Sequence, residues 1–140
     1  MEQTIKNTGC CLCGAVCYEI SGTMPRVVYC HCAQCRKTSG HFVAATAVGP
    51  EQIRFKNDSG LTWYKSSDTA DRGFCNTCGS SLFWRPVHGK YIALMVGALD
   101  VPTGLKSREH IFVADASDYY EITDGLPQFE HDHTGLWADD

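Results

Sequence analysis

The 140-residue chain has no surplus of positive charge: 12 Lys and Arg stand against 16 Asp and Glu, a formal net charge of -4 with a pI near 5.8. That balance argues against a general binder of nucleic acid or anionic membrane, whose affinity rests on clustered cations. Long apolar runs are missing as well. "FVAATAV" and "YIALMVGAL" are the longest, far short of the roughly 20 residues a spanning helix needs. The opening "MEQTIKNTGC" has no basic segment leading into an apolar one, so no secretory signal is expected, and the predicted compartment is the cytoplasm. There is no linker, internal repeat or low-complexity tract. A single domain over 1–140 is predicted, with its core at about 9–129 and an acidic, loop-like tail over 130–140.

Sustained helical periodicity is also absent. What recurs is a series of short runs rich in Val, Ile, Tyr, Phe and Trp: "AVCYEIS", "RVVYC", "HFVAATAV", "LTWYK", "LFWR", "YIALMV" and "HIFVA". Turn-forming stretches such as "SGTMP", "NDSG" and "DVPTG" separate them. The expected fold is mainly β, with "CAQCRKTSG" making one short helical turn.

Cysteine, by contrast, is abundant. Nine cysteines in a chain without an export signal fit metal binding or catalysis better than a disulfide framework. Seven fall into three groups: Cys11 and Cys13 in "CLC", Cys30, Cys32 and Cys35 in "CHCAQC", and Cys75 and Cys78 in "CNTC". Alternate residues of an extended segment face the same side, so a C-x-C pair aims both sulfurs at one ion. A C-x-x-C pair does so across a tight turn. Cys13 and Cys78 are each followed by glycine, which lets the backbone turn sharply and its N–H approach a thiolate. Cys11, Cys13, Cys75 and Cys78 therefore make a closed four-sulfur site of the kind that holds structural zinc.

Cys30, Cys32 and Cys35 remain as a set of three. Three ligands and an open position describe a catalytic zinc, suited to exchanging water for a soft sulfur ligand. Two other readings stand beside it: a second structural site completed by His31 or His41, and a reduced cluster without metal.

Together "GCCLCGAVCYEI", "CHCAQCRKTSG", "YKSSDTADRGFCNTCGSSLFW", "VGALD" and "DGLPQF" resemble the motifs of glutathione-dependent formaldehyde-activating enzymes and the related centromere-protein-V-type domains, over about Gly9 to Phe129. The resemblance implies an Mss4-like zinc-binding fold of small coiled β-sheets and two zincs per chain. The structural one would sit on Cys11, Cys13, Cys75 and Cys78, and the catalytic one on Cys30, Cys32 and Cys35. It further implies a carbon–sulfur lyase, acting on a thiol such as glutathione and a small aldehyde, formaldehyde, to give S-hydroxymethylglutathione. Different functions stay open: a member acting on another thiol adduct, a non-catalytic zinc-ribbon-like module that binds protein, and a redox sensor built on the triple.

Other residues have competing roles. Arg36 and Lys37 either receive a substrate carboxylate or form an ordinary solvated basic pair. His31 should point away from a metal bound by its neighbours. His41 is a candidate proton shuttle, with a structural role as the alternative. In the "SSxxxxR" element of Ser66, Ser67 and Arg72, the arginine would offset the charge of the four thiolates. Cys17 is expected to be a small buried hydrophobe. Cys10 and Asp100 receive no role, and "HDH" at 131–133 is expected to be solvated.

Overall fold

The structure is a computed structural model, and it describes residues 4–132. His133 and the rest of the expected acidic tail lie outside the described residues. The chain forms two compact units. One comprises the described residues up to Met24 together with Ala47–Gly104, and the other comprises Pro25–Thr46 together with the described residues from Leu105 onward.

The first unit contains a three-stranded antiparallel sheet in the order β1 (Ile5–Cys10), β2 (Cys17–Ser21), β5 (Ile53–Asn57). It also contains an antiparallel run of β6 (Leu61–Lys65), β7 (Ala70–Cys75), β8 (Ser81–Pro86) and β9 (Ile92–Met95), each strand paired with the next. Leu82 and Phe83 are adjacent in β8 and both fully buried, so this strand is covered on both faces. Around Phe83 the rings of Tyr18, Phe55 and Trp63 pack at centroid distances of 5.5, 5.7 and 6.0 Å. That aromatic cluster, with Ile20 and Leu94, forms the core from which the cysteine-bearing turns project.

In the second unit β3 (Val27–Cys30) pairs antiparallel with the first residues of β4 (Val43–Val48), a strand that belongs to this unit as far as Thr46, and parallel with β10 (Ser107–Ile111). A parallel pair needs a long crossover, so β3 and β10 come from opposite ends of the chain. The seven-residue helix α1 (Ala33–Ser39) starts two residues after β3 and stops at Gly40, which has φ 89°. After β10, Phe112 takes a left-handed φ of 55° and a 3-10 turn follows at Val113–Asp115. The later segment returns alongside β10, with the His110 N–H donating to the Pro127 carbonyl and the Phe129 N–H to that of His110.

The mainly β expectation holds: six of the seven sequence runs lie largely on strands, while "HIFVA" gives only His110 and Ile111 to β10 before the chain turns at Phe112. Three further strands were not expected. β1 reads "IKNTGC" and buries only Gly9, while β7 reads "ADRGFC" and buries Arg72, so neither shows apolar alternation. β5, "IRFKN", has two half-buried apolar positions.

Cys17 also differs from expectation. It is half-buried, faces Cys10 across the β1–β2 pair, and is joined to it by a disulfide. Opposed positions on neighbouring antiparallel strands bring two side chains close enough to bond. Among the described residues no helix is long and apolar enough to cross a membrane.

Candidate metal centres

The first unit brings Cys11, Cys13, Cys75 and Cys78 together, their sulfurs all within 4.8 Å of one another. The two halves are built alike. Cys11 N–H donates to the Val16 carbonyl at 2.8 Å, and Cys75 N–H donates to the Ser80 carbonyl at 3.0 Å, each closing a turn that carries two thiols. Gly14 and Gly79 sit at the same place in each turn with φ of 86° and 81°, a region that costs other residues strain. Their N–H groups donate to the carbonyls of Cys11 and Cys75, not to sulfur. The Cys11 sulfur instead accepts from the Val16 N–H, at 3.3 Å.

Four sulfurs at tetrahedral corners around zinc, each about 2.3 Å from it, stand roughly 3.8 Å apart. The Cys11–Cys13 and Cys13–Cys75 separations are both 3.7 Å, so this donor set fits zinc. The surrounding donors already bias the thiols. Hydrogen bonds from the Ser80 hydroxyl and backbone N–H draw Cys78 down to about 5. Burial alone would raise Cys11, but the Val16 N–H and the thiols of Cys75 and Cys13 outweigh it and lower its pKa. Cys13 is pulled down by the Ala15 N–H, yet burial and the other three thiols push it up to about 11. One sulfur shedding its proton easily beside one that keeps it is what crowding of like charge produces.

In the second unit Cys30 ends β3, Cys32 caps α1, and Cys35 lies in its first turn. The Cys35 N–H donates to the Cys32 sulfur at 3.3 Å. The three sulfurs again lie within 4.8 Å of one another, a set compatible with three-thiolate zinc. Neither His31 nor His41 joins that group. The thiols of Cys32 and Cys35, and then burial, push Cys30 far up, so without a cation the three cannot all be thiolates. Exposure does not separate the two clusters. Each mixes a buried sulfur with accessible ones, and Cys13 of the four-sulfur set is the most exposed residue of all seven.

His31 is 3% exposed and points away from the cluster into the unit. Its Nε2 meets His110 Nδ1 at 2.8 Å, and His110 Nε2 meets Asp124 Oδ2 at 2.7 Å. Burial, His110 and His41 hold His31 down to about 4, with Asp124 acting the other way. The Leu126 N–H and then His110 hold Asp124 below the usual carboxylate range. Sequence reasoning missed His110 and Asp124. The signals were a histidine inside the apolar run "HIFVA" and the aspartate that opens "DGLPQF".

His41 Nδ1 is hydrogen-bonded to the Tyr119 hydroxyl at 2.6 Å. Arg36 and Lys37 occupy the last turn of α1, where cations suit the helix dipole. The Arg36 Nε donates to the Asp115 carbonyl at 3.3 Å, while Lys37 is exposed. Asp100 accepts from Thr8 Oγ1 at 2.6 Å, and its N–H donates to the Thr8 carbonyl, tying β1 to the segment after β9. Arg72 is buried in β7, and Ser66 closes the turn before it on the Ala70 carbonyl. His131 and Asp132 are exposed.

A family model described as "Glutathione-dependent formaldehyde-activating enzyme" matches residues 6–115. Over 83 residues the chain is 32% identical to an uncharacterized lyase of Schizosaccharomyces pombe, a stretch covering 59% of this chain and 59% of that protein. The chain thus matches a little over half the length of this relative. A crystal structure of a Rhodobacter sphaeroides protein has the same fold, with a TM-score of 0.55 at 21% identity over 87% of this chain and 98% of that one.

Proposed function

Since the chain belongs to the glutathione-dependent formaldehyde-activating enzyme family, we propose that it is a lyase-type enzyme that joins a thiol to a small aldehyde, with glutathione and formaldehyde as the pair. One observation carries this reading. Cys30, Cys32 and Cys35 gather three sulfurs without a fourth His, Cys, Asp or Glu donor among the described residues, whereas the other cluster supplies four. A zinc ion bound by three thiolates supplies an exchangeable position and a positive charge that lowers the pKa of an arriving thiol.

The chain's own residues do the rest. Arg36, fixed through its Nε on the Asp115 carbonyl, turns its guanidinium fork to a carboxylate of the thiol substrate, and Lys37 adds charge from the same helical turn. The substrate sulfur attacks the aldehyde carbon, a carbon–sulfur bond forms, and the carbonyl electron pair moves onto oxygen. With Nδ1–H of His41 donating to the Tyr119 hydroxyl oxygen, Nε2 is free to take the proton the thiol sheds and to return it to the new alkoxide. Holding both partners in register contributes further rate, because thiol and aldehyde otherwise meet by diffusion. The four-sulfur cluster serves as the structural zinc site, and a cytoplasmic location would keep the substrate thiol reduced.

Exchange between formaldehyde and glutathione, followed by NMR in wild type and Cys32→Ser, tests the reading. Acceleration in wild type alone is expected. Equal rates in both, at the uncatalysed level, would leave this chain without that activity.

A further inference from the structure

The "DGLPQF" segment and the buried His110 take no part in the chemistry above, yet they meet at one place in the second unit. Asp124 Oδ1 accepts from the Leu126 N–H at 3.0 Å, which sets the carboxylate at the head of a tight turn. Its Oδ2 accepts from His110 Nε2 at 2.7 Å. A carboxylate can only accept, so Nε2 of His110 carries the proton. In the neutral ring Nδ1 is then the acceptor, and the 2.8 Å contact requires His31 Nε2 to be the donor. Hydrogen-bond direction thus runs one way along all three side chains.

His31 is the middle residue of C-x-C, so its side chain leaves the backbone opposite the sulfurs of Cys30 and Cys32. It is pinned from several sides. Its N–H donates to the Ile111 carbonyl at 3.0 Å, and its ring packs on Phe42 and on His110 at centroid distances of 4.7 and 5.0 Å. His110 is itself 1% exposed, stacked on Tyr29, and held by backbone bonds to the 127–129 segment. A peg fixed on one side of an extended tripeptide fixes the direction of the two side chains on the other.

We propose that Asp124 and His110 are positioning residues which, through His31, set the geometry of the Cys30, Cys32 and Cys35 sulfurs. This rests on reading those three cysteines as a ligand set, but not on the identity of the substrate. Hydrogen bonds made directly to metal ligands are commonly worth about 10- to 100-fold in metal affinity, and this chain, which ends on the residue between two of the cysteines, is expected to act at the lower end of that range. The negative charge of Asp124 is not the operative feature. An asparagine can still accept from Leu126 and can donate its amide to His110, reversing the direction of the whole chain while leaving the peg in place.

The test uses the full zinc-loaded chain as wild type, Asp124→Asn and Asp124→Ala. Long-range 15N–1H spectra give the tautomers, and chelator competition gives the affinity of each site. In wild type both His31 and His110 should carry the proton on Nε2, and in Asp124→Asn both should carry it on Nδ1 with three-sulfur affinity changed less than about threefold. Asp124→Ala should release that metal about tenfold or more easily, while the four-sulfur site, in the other unit, stays unchanged. Two metals per chain with His110 protonated on Nδ1 in wild type, or with Asp124→Ala holding both as tightly as wild type, would overturn the proposal alone. One metal per wild-type chain would defeat the ligand reading and the proposal together. The wild-type tautomers need no variant, so a poorly folding Asp124→Ala does not blunt the test.

Discussion

The two sulfur clusters use the same residue and similar spacing, and they differ in how the chain supplies them. The four-sulfur cluster joins two turns whose cysteines lie 62 residues apart, Cys13 touching Cys75. Each turn closes with the same backbone bond and the same left-handed glycine. The three-sulfur cluster comes from one strand end and the first turn of a short helix, a single local stretch. A metal in the first closes a long loop, whereas a metal in the second closes almost nothing. On the reading proposed above, a metal in the first would stabilise the fold, and one in the second would have little stabilising work and would keep a coordination position for chemistry. Exposure teaches less, since both clusters mix buried and accessible sulfurs.

The largest test of that contrast is Cys78→Ser. Structural zinc commonly contributes on the order of 10 kcal/mol to folding, so this variant should lose the first unit's structure, seen as collapse of the near-ultraviolet dichroism of its aromatic core. Cys32→Ser should do the opposite: turnover disappears and one metal is lost, while the fold and the other metal survive. Serine is a good N-cap and can still accept from the Cys35 N–H, so α1 remains capped. A Cys32→Ser protein that unfolds like Cys78→Ser would erase the distinction. Arg36→Ala should spare both metals and raise KM for the thiol about tenfold or more, the loss of one charge-assisted pairing, with kcat little changed in steady-state kinetics.

Ser80→Ala gives the smallest effect, confined to the four-sulfur site. The Ser80 hydroxyl accepts from the Leu12 N–H and directs its proton to Cys78, 3.1 Å away. That bond helps hold Cys78 near 5. Without it the thiol pKa rises, protons compete with the metal earlier, and acid release begins at a higher pH. The midpoint should move up by only a fraction of a pH unit, because the Ser80 N–H and the neighbouring thiols still act on Cys78. An acid titration of metal release that shows no shift, or a shift to lower pH, would remove Ser80 from the account.

Both cysteine clusters were legible from sequence because cysteine spacing is local and has few competing explanations at this density. The β class was legible from short apolar runs. β1 and β7 were not, since their partners and not their own residues make them strands, and β7 buries an arginine. The Cys10–Cys17 disulfide depends on the register of β1 against β2, which no local pattern declares. His110 and Asp124 escaped notice for a related reason. Each looks ordinary alone, and their meaning lies in a parallel pairing between distant segments.

Cobalt substitution tests the central contrast most directly, because thiolate-bound cobalt has a visible spectrum that responds to ligand exchange. The account predicts two cobalt ions per chain. Glutathione should shift the bands of one and leave the other untouched, and Cys32→Ser should retain only the unresponsive ion. Two ions equally indifferent to added thiol, or a responsive ion that persists in Cys32→Ser, would contradict it.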